Sequence, residues 1–255
     1  MTSQKRGFVS FLRSLASWVM VGLVTIALFI PDFFVWIVSP LIDRDKRLTH
    51  PIHSLWAKTV LLFSPYMRVR VEGSERLEHG KAYVFVANHQ SLADILVVLH
   101  LNHPFKFIAK KELFWIPFLG WALSIAGYIP LVRGNPLSGK QATEKARGYL
   151  RRGMSVLFFP EGTRSPDGAI HRFKVGAFKI ALEEDMSVVP VVINGTRDVI
   201  QKGSFMMGRT EEVTIRIGDP IRLSGKDNLT IEGLSEKVRS TMIEALGELR
   251  AEQIT

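Results

Sequence analysis

Two kinds of apolar pattern divide the chain. From Ser14 to Pro31 there are 18 residues without a charge, and beyond Asp32 ten more run uncharged from Phe33 to Ile42. Further on the apolar runs shorten and are punctuated by charges and turn residues. Ala82–Asn88, Phe105–Ala109, Tyr128–Val132, Ser155–Phe159 and Ser187–Ile193 have the length and β-branched or aromatic content of buried strands. Val213–Ile217 alternates as a half-exposed strand does. Between them lie helical stretches: Gln141–Arg151, a segment opening at Phe173 and running to about Glu184, and the charged amphipathic Ile231–Glu252. Strands alternating with helices predict an α/β fold, a mixed sheet flanked by helices. The predicted division is residues 1–60 as a membrane-embedded hairpin with its connector, and 61–255 as the catalytic domain.

The long apolar stretch predicts membrane contact. A helix over its first 18 residues is about 27 Å long, just short of a bilayer core of about 30 Å. Pro31-Asp32 predicts a break, so the stretch reads as a helix-Pro-helix hairpin dipping into one leaflet, with a single span, a cleaved signal peptide and a buried helix pair as alternatives. Lys5, Arg6 and Arg13 precede it and Arg44, Lys46 and Arg47 follow it. Basic residues on both sides place both ends on the cytoplasmic side.

His89 falls just past the end of a buried strand, where open α/β sheets present ligand groups. Ser91-x-x-Asp94 ahead of Ile95–Leu99 is a helix start signal. With His89 on the turn and Asp94 in the first helical turn, the carboxylate reaches the imidazole, fixing its tautomer as the Asp of a serine-protease triad does. The competing reading is a capping box in which Asp94 holds only the helix end. A second strand, Ser155–Phe159, ends in Pro160-Glu161-Gly162-Thr163-Arg164, with Ser165-Pro166-Asp167-Gly168 as a closing turn. Arg164 offers a planar fork for phosphate oxygens, Thr163 a hydroxyl and Gly162 a close backbone approach.

Composition narrows the chemistry. There are no cysteines, which removes disulfides, a thiol nucleophile and Cys-ligated zinc together. The other histidines, His50/His53 and His100/His103, lack a carboxylate at ligand spacing, so no metal is expected. A net charge of +9 implies an anionic partner: nucleic acid, a membrane surface or a phosphorylated substrate. Clustered basic residues interleaved with aromatics are not evident, and no nucleic acid is expected. Gly134-Asn135-Pro136-Leu137-Ser138-Gly139-Lys140 is a near miss for a phosphate-binding P-loop, with Gln141 in place of the metal-binding hydroxyl and Pro136 removing an N–H. Phe114, Trp115, Phe118 and Trp121 form either plain core or an apolar wall for a fatty acyl chain.

Asn88-His89-Gln90-Ser91-Leu92-Ala93-Asp94 resembles the His-x-x-x-x-Asp block of the glycerolipid acyltransferases, and Phe159–Ser165 resembles their second signature. Gly127-Tyr128-Ile129-Pro130-Leu131-Val132-Arg133 and Val189-Pro190-Val191 fit the two further blocks of that family, whose bacterial 1-acylglycerol-3-phosphate acyltransferases are most similar. The resemblance covers about residues 60 to 220. It implies acyl transfer from acyl-CoA or acyl carrier protein to lysophosphatidic acid, with no cofactor, at an anionic membrane surface, on the cytoplasmic face of a bacterial inner membrane. His89 and Asp94 are then the catalytic pair. Glu161, Gly162, Thr163 and Arg164, helped by Lys110, Arg133 and Lys174, hold the phosphate and glycerol. Other lysolipid acceptors, and a nonenzymatic basic adaptor, are the alternatives.

Overall fold

Strands that are apolar on both faces need cover on both sides, and the chain supplies it by alternating strand and helix. The computed structural model describes residues 3–64, 66–200, 204–208, 212–223 and 229–253, with backbone only at residues 3–7 and 40. In chain order the elements are α1 (Ser3–Ile42), α2 (Thr49–Leu62), β1 (Arg68–Glu72), β2 (Val84–Ala87), α3 (Asp94–Val98), β3 (Phe105–Lys110), α4 (Leu119–Ile125), β4 (Ile129–Leu131), α5 (Pro136–Arg151), β5 (Ser155–Phe158), α6 (Gly176–Glu183), β6 (Val188–Asn194), β7 (Glu212–Ile217) and α7 (Ile231–Glu252). The seven strands form one sheet in the order β1-β7-β6-β2-β5-β3-β4. Every pairing is parallel except β6 with β7. The mixed α/β sheet read from the sequence is therefore present, with β1 as an additional edge strand that its polar composition had hidden.

Alternation along the strands sorts two cores. Phe85, Phe107 and Leu157 face one side, packed with Ala57 of α2, Val97 of α3 and Leu123 of α4. Val84, Val86 and Val156 face the other, against Ala146 of α5, Phe178 of α6 and Leu234, Val238 and Met242 of α7. The P-loop near miss is a helix start: Asn135 Oδ1 accepts from the Ser138 N–H at 3.0 Å and Pro136 is the first residue of α5.

The N-terminal segment departs from expectation. Pro31 does not break the helix, and α1 runs unbroken for 40 residues, about 60 Å of helix at 1.5 Å per residue. Pro31 forfeits one helical hydrogen bond, but contacts on both sides of it hold the backbone straight through. Phe29 packs on Phe118 and Trp121 with ring centres 5.6 and 5.8 Å away, and Asp32 bonds His53 at 3.2 Å. The hairpin turn comes later, at residues 43–48, and its second arm is α2, the segment read from sequence as a connector. The side chains of Lys5 and Arg6 lie outside the described residues.

That turn is seated on the sheet. Lys106 of β3 is 1% exposed and donates from Nζ to the Lys46 carbonyl at 2.9 Å. Arg47 donates to the carbonyls of Arg152 and Gly153, and Arg152 returns to Asp45. Burial lowers the Lys106 pKa to about 7. The unfolded chain then binds a proton that the folded chain releases between about pH 7 and the usual lysine range near pH 10.4, so this residue makes stability rise with pH across that window. Urea unfolding of the wild type and Lys106→Met in detergent should show the rise in the former and a flatter profile in the latter between pH 7 and 10.

Candidate active site

The strand β2 ends at Ala87, and the next four residues are fixed by side chains acting as backbone. Asn88 spans to β6, its Oδ1 accepting from the Ile193 N–H at 2.8 Å and its Nδ2 donating to the Ile193 carbonyl at 2.9 Å. Gln90 Nε2 donates to the same carbonyl at 3.1 Å. Asp94 Oδ2 accepts three hydrogen bonds, from the backbone N–H of Gln90 at 2.7 Å, that of Ser91 at 2.9 Å and the His89 ring Nδ1 at 2.7 Å. One carboxylate thus holds the imidazole as well as the backbone ahead of the helix, and the reading in which Asp94 holds only the helix end does not stand. Ser91 Oγ donates to the Ile200 carbonyl at 2.9 Å and accepts from the Ala93 N–H at 3.3 Å.

Asp94 is fully buried and His89 is 8% exposed. With Nδ1 committed to the carboxylate, His89 Nε2 takes no hydrogen bond among the described residues. Phe159 stacks on the ring, centres 4.3 Å apart, and restricts its rotation. The pair therefore has a fixed tautomer and one nitrogen available as a base.

The second block is bolted to the first. Glu161 Oε1 accepts from the His89 N–H at 3.1 Å, Oε2 accepts from the His171 N–H at 3.2 Å, and the Ser165 N–H donates to the His89 carbonyl at 2.7 Å. Burial raises the Glu161 pKa, and the two backbone donors and nearby histidines oppose that rise. Its carboxylate thus braces the two loops, whereas the sequence had suggested a contact to substrate. Gly162 has φ of 72°, and a Cβ there would lie 2.7 Å from Lys174 Nζ, so the glycine makes room for that ammonium. The turn after the block forms as read, with Ser165 Oγ accepting from the Gly168 N–H at 3.0 Å.

The remaining cations gather at the same ends of the parallel strands. Lys110 closes β3, exposed and paired to Glu112 at 3.3 Å, and Arg133 follows β4, near enough to act on both Glu112 and Arg164. Arg164 Nη1 is buried with no hydrogen-bond partner. Burial lowers the Arg164 pKa, Arg133 lowers it further, and Asp94 opposes them. The nine residues singled out from sequence are therefore on one side of the molecule, at the carboxyl ends of β2, β3, β4 and β5. Asn88 and Phe159 were read only as neighbours in their blocks. An amide that must stand in for the next strand rung, and a ring flanking the His89 imidazole, carry no spacing signal.

A sheet with a buried His-Asp pair and a cluster of cations at its strand ends offers a base and a place for an anion, and the sequence comparisons give the class of the chain. The profile of the acyltransferase family matches residues 68–194. The chain belongs to that family. It is similar to the chloroplastic 1-acyl-sn-glycerol-3-phosphate acyltransferase LPAT1 of Arabidopsis thaliana, 38% identical over 196 residues, 76% of this chain and 54% of that protein. It is similar also to the mouse alpha enzyme of that name, 30% identical over 199 residues, 75% of this chain and 69% of the other. Among solved structures it resembles the 1-acyl-sn-glycerophosphate (LPA) acyltransferase PlsC from Thermotoga maritima, with a TM-score of 0.78, 31% identity, and coverage of 96% and 98% of the two chains. The chain spans just over half the length of the plant and algal relatives it matches.

Glu161→Ala would leave two backbone donors without their acceptor, at a cost of about 1–3 kcal/mol where they stay dry. The expected result is a lower unfolding midpoint together with reduced turnover. Loss of turnover at unchanged stability would point to direct contact with substrate instead.

Proposed function

We propose that this chain transfers a fatty acyl group from a thioester, acyl-CoA or acyl carrier protein, to the free hydroxyl of 1-acylglycerol-3-phosphate, giving phosphatidic acid. The observation that carries the proposal is the 2.7 Å bond from His89 Nδ1 to the buried Asp94, which leaves Nε2 as the base beside a cluster of phosphate-binding cations. The acceptor hydroxyl gives its proton to Nε2 as its oxygen forms a bond to the thioester carbonyl carbon. The C–S bond then breaks, and the departing thiolate takes the proton back from the imidazolium. Asp94 steadies the cation between these events. Ser91 is no covalent nucleophile in this scheme, since its hydroxyl is committed to the Ile200 carbonyl. Arg164, with its unpartnered Nη1, Arg133, Lys110, Lys174 and the Gly162-Thr163 backbone take the phosphate, and Glu161 keeps the loop in place.

The reaction belongs at a lipid surface. Among the described residues α1 is the one helix long and apolar enough to cross a membrane, yet Ser14, Trp18, Thr25 and Asp32 each hydrogen-bond to the rest of the chain. At about 100° per residue these four fall within about 40° of one another. The stripe turned to the protein is polar, and the outer face, with Phe8, Leu15, Leu23, Ile30, Phe34 and Ile37 exposed, is apolar. A helix docked along its own domain over this distance leans into one leaflet and does not stand across the bilayer. We place the protein at the cytoplasmic face of a bacterial inner membrane, where basic charge favours anionic lipid and thioester donors are made.

His89→Ala should abolish formation of phosphatidic acid by purified protein supplied with lysophosphatidic acid and acyl-CoA, with membrane binding and far-UV dichroism unchanged. Persisting turnover would remove His89 from the chemistry. Arg164→Ala should raise the KM for lysophosphatidic acid about tenfold, as loss of a charge-assisted contact of ~1.5 kcal/mol implies, and leave the donor KM near its starting value. A rise confined to the donor KM would reverse the assignment of the two substrates.

A further inference from the structure

An aspartate in the apolar stretch of α1 needs a reason. Asp32 is 1% exposed, and its Oδ2 meets His53 Nε2 of α2 at 3.2 Å. The other ring nitrogen, His53 Nδ1, lies 3.1 Å from the Tyr128 hydroxyl at the start of the Gly127–Arg133 block. Leu28, Phe29, Trp56, Phe107 and Leu123 line the adjoining cavity together with Thr25, and the Lys46 and Lys106 ammonium groups lie near enough to feel the Asp32 charge. Asp32 Oδ1 has no partner. Burial, reinforced by the Asp32 charge, raises the Tyr128 pKa, so the phenol stays protonated. Such a group is not retained for stability alone, because apolar residues of similar size commonly hold a buried site as well or better than an ion pair does.

What a buried ionisable pair does well is select one register. Apart from one hydrogen bond, from Trp56 Nε1 of α2 to Thr25 Oγ1 at 3.0 Å, the α1 contact with α2 and α4 is made by rings and aliphatic chains, which pack nearly as well after a shift of one helical turn, about 5.4 Å. Asp32 meets His53 in one register only. The pair is also continuous with the catalytic sheet. Tyr128 leads into β4, whose Pro130 and Leu131 pair with Ala109 and Lys110 of β3. Those two strands deliver Arg133 and Lys110 to the phosphate cluster.

We propose that Asp32 and His53, acting through Tyr128, are positioning residues that fix the height of the membrane helix against the sheet, and so the depth at which the phosphate cluster meets lysolipid held in a bilayer. The proposal rests on the acyl-transfer reading, and wild-type turnover in detergent tests that reading by itself. The pair bears on how bilayer-held substrate is met, and plays no part in proton transfer at His89.

The test compares one enzyme in two substrate presentations. Wild type, Asp32→Asn and the double variant Asp32→Leu/His53→Leu are assayed with acyl-CoA and lysophosphatidic acid. The lipid is dispersed in detergent micelles or embedded in vesicles of phosphatidylethanolamine and phosphatidylglycerol, and vesicle binding is measured by co-sedimentation. The double variant should keep micellar turnover within about twofold and bind vesicles as the wild type does, while its turnover on vesicles falls at least tenfold. Asp32→Asn should show the same split to a smaller degree, and it decides the matter if the double variant does not fold. Equal losses in both presentations would reduce the pair to general stability and overturn the proposal, as would no loss in either.

Discussion

One carboxylate oxygen organises the loop that carries His89. Asp94 Oδ2 collects two backbone N–H groups and the imidazole Nδ1 within 2.9 Å, in a place that water does not reach. Each donor would be costly to leave unpaired there, so the turn has little freedom to open without giving up all three. The imidazole orientation is thereby tied to the path of the backbone. A base built this way comes preorganised, and the protein does not have to order it during the reaction.

The cations nearby present the opposite situation. Burial disfavours the Arg164 charge, and Arg133 lies close enough to disfavour it further. Of the neighbouring acids, Glu112 is paired with Lys110, Glu161 is held by backbone and Asp94 by the His89 loop. A site that concentrates positive charge with its acids already engaged gains most from an incoming anion, since a phosphate relieves the repulsion as well as forming new hydrogen bonds. Gly162 extends the logic, its missing Cβ giving the Lys174 ammonium room to approach the loop.

The parts of this arrangement legible in the sequence are those built from local chain. The strands from Ala82, Phe105, Ser155 and Ser187 announced themselves by apolar runs, and α7 was delimited at Ile231 and Glu252 by its amphipathic pattern. His89 and Asp94 could be paired because five residues separate them across a strand end. Illegible were the features decided by distant partners. Pro31-Asp32 reads as a break until His53 and the ring cluster on Phe29 are known to hold the helix on both sides of it. That Glu161 braces two loops is visible only once its two oxygens are seen on the His89 and His171 amides. The edge strand β1 has a polar alternation too weak to distinguish from loop, and its place beside β7 is settled by tertiary pairing.

The proposed chemistry also explains why the anchor and the site share one sheet. The proposed scheme stores the acyl group on no protein side chain, so in it donor and acceptor have to be present together. A lysolipid lifted wholly into water would expose its acyl chain, at about 0.8 kcal/mol per methylene, a cost that grows well beyond what a handful of phosphate contacts returns. Bringing the base to the headgroup level leaves the chain in lipid and asks the cations only to orient the phosphate. In the proposed arrangement the polar stripe of α1 turned toward the domain, the turn at Lys46 seated on Lys106, and the apolar outer face together hold the sheet at that level. On that proposal α1 is part of the substrate-binding site.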